Sequence, residues 1–329
     1  MVMSRIKLNH SYNDIIGLEN LLIAWKEFLN GKRNRKDVQE FSIRLMNNIT
    51  QLHEELSAKT YKHSTYHAFN ISDPKLRRIH KAKVRDRLLH HAICRILYPF
   101  FDRVFISDSF SCRLRKGTHR AINKFTTFAR KESKNYTKTV WVLKCDIRKF
   151  FPSIDHEILL KIISDYIIDE NIVRLIEIIV GSFYNRMPGV GLPLGNLTSQ
   201  LLVNIYMNRF DQFVKYKLKA RHYIRYADDF VFISSDKKYL QNILPKIEFY
   251  LMNELKLNLH PDKVSVKTLS SGIDYLGWVH FPGHRVLRSA TKRRMLRNLA
   301  DLENSQEVLA SYVGLLKHGN AYKLNQLLD

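Results

Sequence analysis

Three aspartates stand where a carboxylate is costly. Asp146 ends the apolar run Val140-Trp-Val-Leu-Lys-Cys145, and Asp228-Asp229 separate two further apolar runs, His222–Tyr226 and Phe230–Ser234. An acidic residue at the end of a buried strand is expensive unless it is paired or metal-bound. In isolation the dipeptide Asp228-Asp229 reads as turn chemistry, because aspartate is a common turn former. The rest of the chain shifts that balance. It carries 54 Lys+Arg against 31 Asp+Glu, a formal net charge of +23. A basic chain that gathers three carboxylates at strand ends among apolar flanks is building a site for divalent cations. Hard cations such as Mg²⁺ take oxygen ligands, usually one or two carboxylates plus substrate phosphates and water. Two such ions about 3.5–4 Å apart can activate a hydroxyl and stabilise the leaving pyrophosphate in an in-line displacement.

Strands must hold these carboxylates, and helices must bury the strands. Beyond the three runs already named, short strands surround Ser265 and Tyr275-Leu-Gly-Trp278. Helical spacing runs through residues 10–60 as a pair of helices. Leu18, Leu21, Leu22, Trp25, Phe28 and Leu29 form the first stripe, and Phe41, Leu45, Ile49, Leu52 and Leu56 form the second. A basic loop starting at Gly31 separates them. Further helices are predicted over 86–101, 118–132, 155–169, 172–183, 197–218 and 237–255, and from about residue 290 onward. Between 75 and 87 lies a dense run of Lys and Arg after the turn Asp73-Pro74. Such a run is commonly a solvated face. Beside β-branched Ile79 and Val84 it also reads as an exposed hairpin carrying phosphate-binding cations. Interleaved strands and long helices make the architecture α/β or α+β, not a helical bundle.

Composition narrows the class. The 329 residues are 45% hydrophobic and 26% charged, so disorder and collagen-like repeats are excluded. Only 12 Gly and 8 Pro argue for long regular elements. The positive excess points to a polyanionic partner, nucleic acid first, with a basic ribosome-like or membrane-surface protein as the plainer alternative. Cys94, Cys112 and Cys145 are too few and too dispersed for a disulfide framework or zinc site, and read as small buried hydrophobes. No run approaches the roughly 20 apolar residues of a membrane span, and the N-terminus lacks a signal-peptide core. The expectation is a soluble, cytoplasmic protein without a membrane partner.

Tyr226-Ala-Asp-Asp229, within Ile-Arg-Tyr-Ala-Asp-Asp-Phe-Val-Phe, resembles the signature hairpin of reverse transcriptases. Asp146-Ile-Arg-Lys-Phe-Phe-Pro-Ser-Ile-Asp155 resembles their first catalytic motif, in matching order and separation. The similarity is read from about Arg77 to the C-terminus. It implies an α+β right-hand polymerase with an N-terminal helical extension over 1–60. Fingers are expected over 61–140 together with 159–190, the palm over 141–158 and 191–282, and the thumb over 283–329.

The resemblance also implies roles. Asp146 and Asp228 would ligate two Mg²⁺ ions, with Mn²⁺ able to substitute; Asp229 would support the site and the Ile147 carbonyl would be a further ligand. Phe151 falls where the family places a bulky gate against a ribose 2′-hydroxyl, with core packing the plain alternative for one of Phe150 and Phe151. Lys263 matches a lysine that can protonate departing pyrophosphate, and reads equally as a surface lysine. Arg77 or Arg78, together with Arg85, would hold the incoming dNTP triphosphate. Tyr226, Gly277 and Trp278 fall near the primer end, although the aromatics of Tyr275-Leu-Gly-Trp278 read equally as core. Lys292, Arg293 and Arg297 open a thumb helix suited to the phosphates of an RNA–DNA hybrid.

The loop Gly191-Leu-Pro-Leu-Gly-Asn-Leu-Thr-Ser-Gln200 carries Leu194-Gly195 and Ser199-Gln200 where most relatives have Gln-Gly and Ser-Pro. This variant is similar to the reverse transcriptases of diversity-generating retroelements. Those copy a template-repeat RNA with a small accessory protein, and do so error-prone, especially opposite template adenines. Leucine in place of glutamine removes polar contacts near the nascent base pair. The second biological role is an antiphage-defence reverse transcriptase copying a non-coding RNA. A retron enzyme fits less well, since no Asn-Ala-x-x-His or Val-Thr-Gly segment is found. The length is read as leaving no room for an endonuclease, RNase H or maturase domain. A non-catalytic RNA-binding protein on the same fold predicts loss of a carboxylate, and all three positions are filled.

Overall fold

The computed structural model describes residues 6–72, 76–185, 187–301 and 306–326. The expected turn at Asp73-Pro74 and the adjoining Lys75 lie outside the described residues. The chain divides into two units. The first comprises Met1–Ile106, Arg148–Gln212 and Tyr250–Asn258; the second comprises Ser107–Ile147, Phe213–Phe249 and Leu259–Asp329.

In the first unit the expected N-terminal pair is four helices: α1 (Tyr12–Ile16), α2 (Leu18–Phe28), α3 (Lys36–Ile43) and α4 (Leu45–Ser57). The breaks have local causes. Gly17 is extended at ψ 140°, and Arg44 leaves the helical region at φ −118°, ψ 40°. The predicted stripes are nonetheless the ones buried: Leu21, Trp25 and Phe28 on α2, and Ile49, Leu52 and Leu56 on α4. The cationic run after residue 75 splits in two. Its first part forms β2 (Arg77–Lys81), antiparallel to β1 (His67–Ile71), and its second part opens α5 (Val84–Val104). Helix α5 packs on α2 and on α9 (Leu197–Gln212), whose residues are buried almost all round. Helices α7 (His156–Ser164) and α8 (Glu170–Gly181) complete the unit.

The second unit is built on a four-stranded antiparallel sheet of β3 (Trp141–Asp146), β4 (Tyr223–Tyr226), β5 (Asp229–Ser234) and β6 (Ser265–Thr268), in the order β4-β5-β3-β6. Helix α6 (Thr118–Glu132) lays Ala121, Phe125, Phe128 and Ala129 against Val142, Ile224, Val231 and Ile233. The sequence alone groups residues 107–140 with the fingers. This apolar face of α6 puts them with the sheet. Helix α10 (Lys237–Leu255) follows β5. A second sheet, β7 (Ile273–Tyr275), β8 (Trp278–Phe281) and β9 (His284–Leu287), precedes α11 (Ser289–Asp301), α12 (Gln306–Leu316) and α13 (Tyr322–Asn325). Their shared core holds Trp278, Leu287, Met295, Leu316 and Leu324. Gly319 is required there: a Cβ would stand 2.0 Å from Trp278 Cζ3.

One expectation about cysteine is corrected. Cys94 and Cys145 are buried, but Cys112 is exposed, in a loop where its φ is +54°. No helix among the described residues is long and apolar enough to cross a membrane.

Candidate active site

The three aspartates come together because the strands that carry them are paired in register. Strand β3 is apolar at Val142, Leu143 and Cys145, and lies between β5 and β6. Its last residue, Asp146, is directly opposite Asp229, the first residue of β5. Tyr226 pairs with the same Asp229, so Ala227 and Asp228 are the two residues of a tight hairpin turn. Ala227 has φ +56°. Two-residue hairpin turns of this kind favour glycine at that position, so alanine there holds strain.

The strained turn is braced from within. Arg225 is fully buried, and donates to the Ala227 carbonyl at 3.2 Å and to Ser109 Oγ at 3.1 Å. Its own backbone pairs with residues 108–110, through Arg225 N–H to the Asp108 carbonyl and Phe110 N–H to the Arg225 carbonyl, each at 3.0 Å. On the other side, Ile147 N–H donates to the Asp228 carbonyl at 3.1 Å, and His260 N–H donates to the Asp146 carbonyl at 2.7 Å. The carboxylate corner is therefore fixed by backbone bonds from three directions.

Two lysines partly neutralise it. Lys263, in a short turn after Pro261, reaches Asp146 Oδ1 at 2.7 Å, and Lys144 lies 3.6 Å from Asp229 Oδ2. Burial pushes the Asp229 carboxyl up to about 7, against the pull of Lys144 and with the repulsion of Asp146 and Asp228. Asp229 Oδ1 is buried without a hydrogen-bond partner. Among the described residues no three His, Cys, Asp or Glu side chains form a finished metal cage, and Asp146 and Asp229 each face a lysine. An orphaned carboxylate oxygen among like charges is nevertheless the donor chemistry that a hard divalent cation takes.

Other predicted residues cluster in the first unit. Arg77 and Arg78 are exposed on β2. The hairpin is tied to the glycine loop, with His80 N–H donating to the Leu194 carbonyl at 2.9 Å and Asn196 Nδ2 donating to the His80 carbonyl at 3.0 Å. Gly195 between them has φ +108°, and a Cβ there would stand 2.7 Å from Ile79 Cγ2. The loop continues to Phe151, whose carbonyl accepts from Leu192 N–H at 2.9 Å. Phe150 is buried and Phe151 is half-exposed, so the two rings divide between packing and an accessible surface. Arg85 is not on the hairpin. It sits in the first turn of α5, paired with Glu55 at 2.9 Å over the ring of Tyr61. It lines a cleft of about 610 Å³ with Asp37, Phe41, Tyr66 and Lys81.

In the second unit, Tyr226 accepts a hydrogen bond from Thr118 at 3.1 Å. Gly277 follows Leu276 in the β7–β8 turn, both with positive φ. The reading of Trp278 as a nucleic-acid contact is corrected: its indole is 1% exposed and forms part of the core beneath α11–α13. Lys292, Arg293 and Arg297 are exposed on α11, while Met295 faces the core. Lys144, Arg225 and Asn196 were not singled out from sequence. A charged side chain inside the apolar runs Trp141–Asp146 and Tyr223–Tyr226 was the available signal for the first two.

Residues 42–280 match the model of the reverse transcriptase (RNA-dependent DNA polymerase) family. The chain belongs to this family. Its enzymatic activity is RNA-directed DNA polymerisation, and membership implies an RNA template, dNTP substrates and divalent-metal catalysis. The match begins well before Arg77, inside α3, so the similarity starts earlier than the sequence reading placed it; it ends ahead of α11. Protein YkfC of Escherichia coli is 27% identical over 286 residues, covering 74% of this chain and 72% of that protein. The group II intron-encoded protein LtrA of Lactococcus lactis is 23% identical over 276 residues, covering 64% of this chain and 44% of LtrA. Telomerase from Candida albicans, solved with a telomeric RNA fragment, superposes with a TM-score of 0.55 at 11% identity, covering 79% of this chain and 55% of that one. The architecture is thus the mixed α and β polymerase fold of reverse transcriptases. The chain spans less than two thirds of LtrA and of the telomerase chain.

Proposed function

We propose that this reverse transcriptase copies a dedicated template RNA into error-prone cDNA as part of a diversity-generating retroelement. The observation that carries the reading is the Leu194–Gln200 loop: Leu194, half-exposed, stands where the family resemblance drawn from the sequence places a glutamine. It is joined through its carbonyl to the hairpin bearing Arg77 and Arg78. An apolar side chain there offers no hydrogen bond by which a mispaired base could be rejected. A small accessory protein belongs to this proposal.

Asp146, Asp228 and Asp229, with the Ile147 carbonyl, would hold the divalent ions, Mg²⁺ with Mn²⁺ as substitute. Bound there, the ions supply Lewis-acid activation of the primer 3′-hydroxyl and neutralise charge on the leaving pyrophosphate. The remaining work falls to the chain's own groups. Lys263 holds a proton at Nζ beside Asp146, where it can pass to a departing pyrophosphate oxygen. Arg77 and Arg78 bind the triphosphate electrostatically. Phe151 excludes a ribose 2′-hydroxyl by volume. Gly277, Tyr226 and the exposed cations of α11, Lys292, Arg293 and Arg297, carry primer and hybrid. In lobes, we assign the N-terminal extension to 1–60, the fingers to 61–106 with 159–190, the palm to 141–158 and 191–282, and the thumb to 283–329. Residues 107–140 go with the palm, supported by the packing of α6.

The test is primer extension on an RNA template with Mg²⁺ or Mn²⁺, followed by sequencing of the cDNA. Wild-type protein is expected to misincorporate mainly opposite template adenine, Leu194→Gln to misincorporate less, and Asp228→Asn to extend nothing. Uniformly accurate cDNA, unchanged by Leu194→Gln, overturns the diversity-generating reading and favours the antiphage-defence role. Extension by Asp228→Asn at the wild-type rate overturns the carboxylate assignment.

A further inference from the structure

The four strands of the β4-β5-β3-β6 sheet put their aspartates at one end and a concentration of cations at the other. At the far end Trp141 pairs with Ser234 and Thr268, and the connections that meet there are those before β3, before β4, after β5 and after β6, the last (Leu269-Ser-Ser-Gly272) without a charge. The last turn of α6 contributes Lys131, and the α6–β3 connection contributes Lys134 and Lys138. The approach to β4 contributes Lys219 and Arg221, and the start of α10 contributes Lys238. All six are exposed, and none is engaged in an ion pair among the described residues. The acids nearby are occupied: Glu132 accepts from Ser235 and faces His222, and Asp236 accepts from Tyr239 N–H.

The connection that carries Lys134 and Lys138, directly after Lys131, is held stiffly in an unusual shape. Lys134, Asn135 and Tyr136 all have positive φ, 49°, 59° and 66°. Three successive non-glycine residues seldom adopt that region. They are pinned by Asn135 N–H to the Arg130 carbonyl at 2.9 Å, Tyr136 N–H to Ser133 Oγ at 2.8 Å and Lys138 N–H to the Ser133 carbonyl at 2.9 Å. Strain retained in an exposed loop points to a function for what the loop presents. Here it presents ammonium groups on a rigid support.

We propose that this pole of the sheet is a second nucleic-acid site, one that grips the phosphate backbone of base-paired RNA away from the point of synthesis. The charge is complementary to a polyphosphate, and its sources in three connections form a patch, not a stripe on one helix. Tyr216, 66% exposed ahead of β4, is the one large hydrophobic side chain these connections expose; a single ring bearing a hydroxyl makes neither the apolar centre of a protein interface nor an aliphatic wedge for a lipid bilayer. Recognition is of backbone, not of bases, and serves to retain a folded RNA during copying. The six residues of β3 span about 17 Å at roughly 3.3 Å per residue. That exceeds the Debye length of about 8 Å at physiological salt, so the pole and the aspartates act as electrostatically separate sites.

The experiment compares wild type with Lys131→Glu/Lys134→Glu/Lys138→Glu and with the corresponding triple glutamine variant, after thermal melting shows all three folded. The probes are a long base-paired RNA, a short RNA–DNA hybrid and phosphatidylserine vesicles. Affinity for the base-paired RNA is expected to fall at least tenfold in the glutamate variant and less in the glutamine variant. The slope of log affinity against log salt should drop by about 2–3, close to one for each phosphate that a lysine no longer neutralises. Extension of the short hybrid should keep its kcat and KM. Unchanged RNA affinity and slope overturn the proposal, as does an equal loss on the short hybrid. Vesicle binding that the variants lose while RNA affinity stays would make the pole a lipid surface instead.

Discussion

Replacing Asn196 by leucine removes one hydrogen-bond donor while nearly keeping the size of the side chain and adding no charge. The amide is 2% exposed, its Nδ2 donates to the His80 carbonyl at 3.0 Å, and its Oδ1 has no partner. In the variant a methyl group faces the carbonyl oxygen, and the His80 carbonyl loses one donor. A partly buried acceptor left unsatisfied costs about 1–2 kcal/mol, the lower part of the usual range because the His80 side is not wholly enclosed. The other bond, from His80 N–H to the Leu194 carbonyl, remains. One to two kcal/mol is a factor of roughly 5–30 in the ratio of anchored to released hairpin. If Arg77 and Arg78 hold the triphosphate only when the hairpin is anchored, apparent dNTP affinity falls with the anchored fraction. Single-nucleotide incorporation on an RNA template should then show KM for dNTP raised by up to that factor, with kcat changed less than twofold. A kcat that falls at unchanged KM would refute the reasoning, because the bond would then bear on the chemical step and not on nucleotide capture.

Arg225→Lys should be far from conservative, since one ammonium cannot reproduce the guanidinium's bonds to both the Ala227 carbonyl and Ser109 Oγ. A loss of about 2–4 kcal/mol is expected in urea unfolding, with kcat reduced in whatever fraction folds. Gly319→Ala drives a methyl into the buried indole of Trp278 and should lower stability by about 1–3 kcal/mol in the same assay. Burial pushes His90 down to about 3 and His280 down to about 4. Both stay neutral in the fold while the unfolded chain takes up protons below about 6.5, so stability is retained above that pH and lost as pH falls through it. At pH 5 each contributes a loss of about 2 kcal/mol, and His280→Gln should flatten the dependence of Tm on pH between 6.5 and 5.

The catalytic corner was legible because apolar runs announce buried strands, and a carboxylate ending such a run has few other uses. The pairing of Asp146 with Asp229 follows once the Tyr226–Asp229 hairpin is accepted. Arg225 was not legible. An arginine in a strand suggests a solvent-facing position, and its burial depends on Ser109, 116 residues away. Trp278 misled in the opposite sense, since an aromatic beside a glycine turn suits both a nucleic-acid surface and a core. Its core is completed by Leu316 and Leu324, which no local pattern connects to it. Strand β9 was missed because His284-Arg-Val-Leu287 has neither alternation nor an apolar run. The division of the N-terminal pair into four helices turns on backbone angles at Gly17 and Arg44, which hydrophobic periodicity does not encode.

The division of the chain has a consequence for its birth on the ribosome. The first unit draws on Met1–Ile106, Arg148–Gln212 and Tyr250–Asn258, so it lacks a segment until residue 258 has emerged. Strand β3 must wait for β5 and then β6, its neighbours on either side. Contacts between such distant segments make folding slow and leave sheet edges open meanwhile. Neither unit is therefore a piece that can be cut out at a single point, and a nascent chain stalled before residue 258 holds all three aspartates while the first unit is still incomplete. Synthesis of an active polymerase is in this sense all-or-nothing, and exposure to chaperones and proteases is longest for the sheet on which the aspartates are carried.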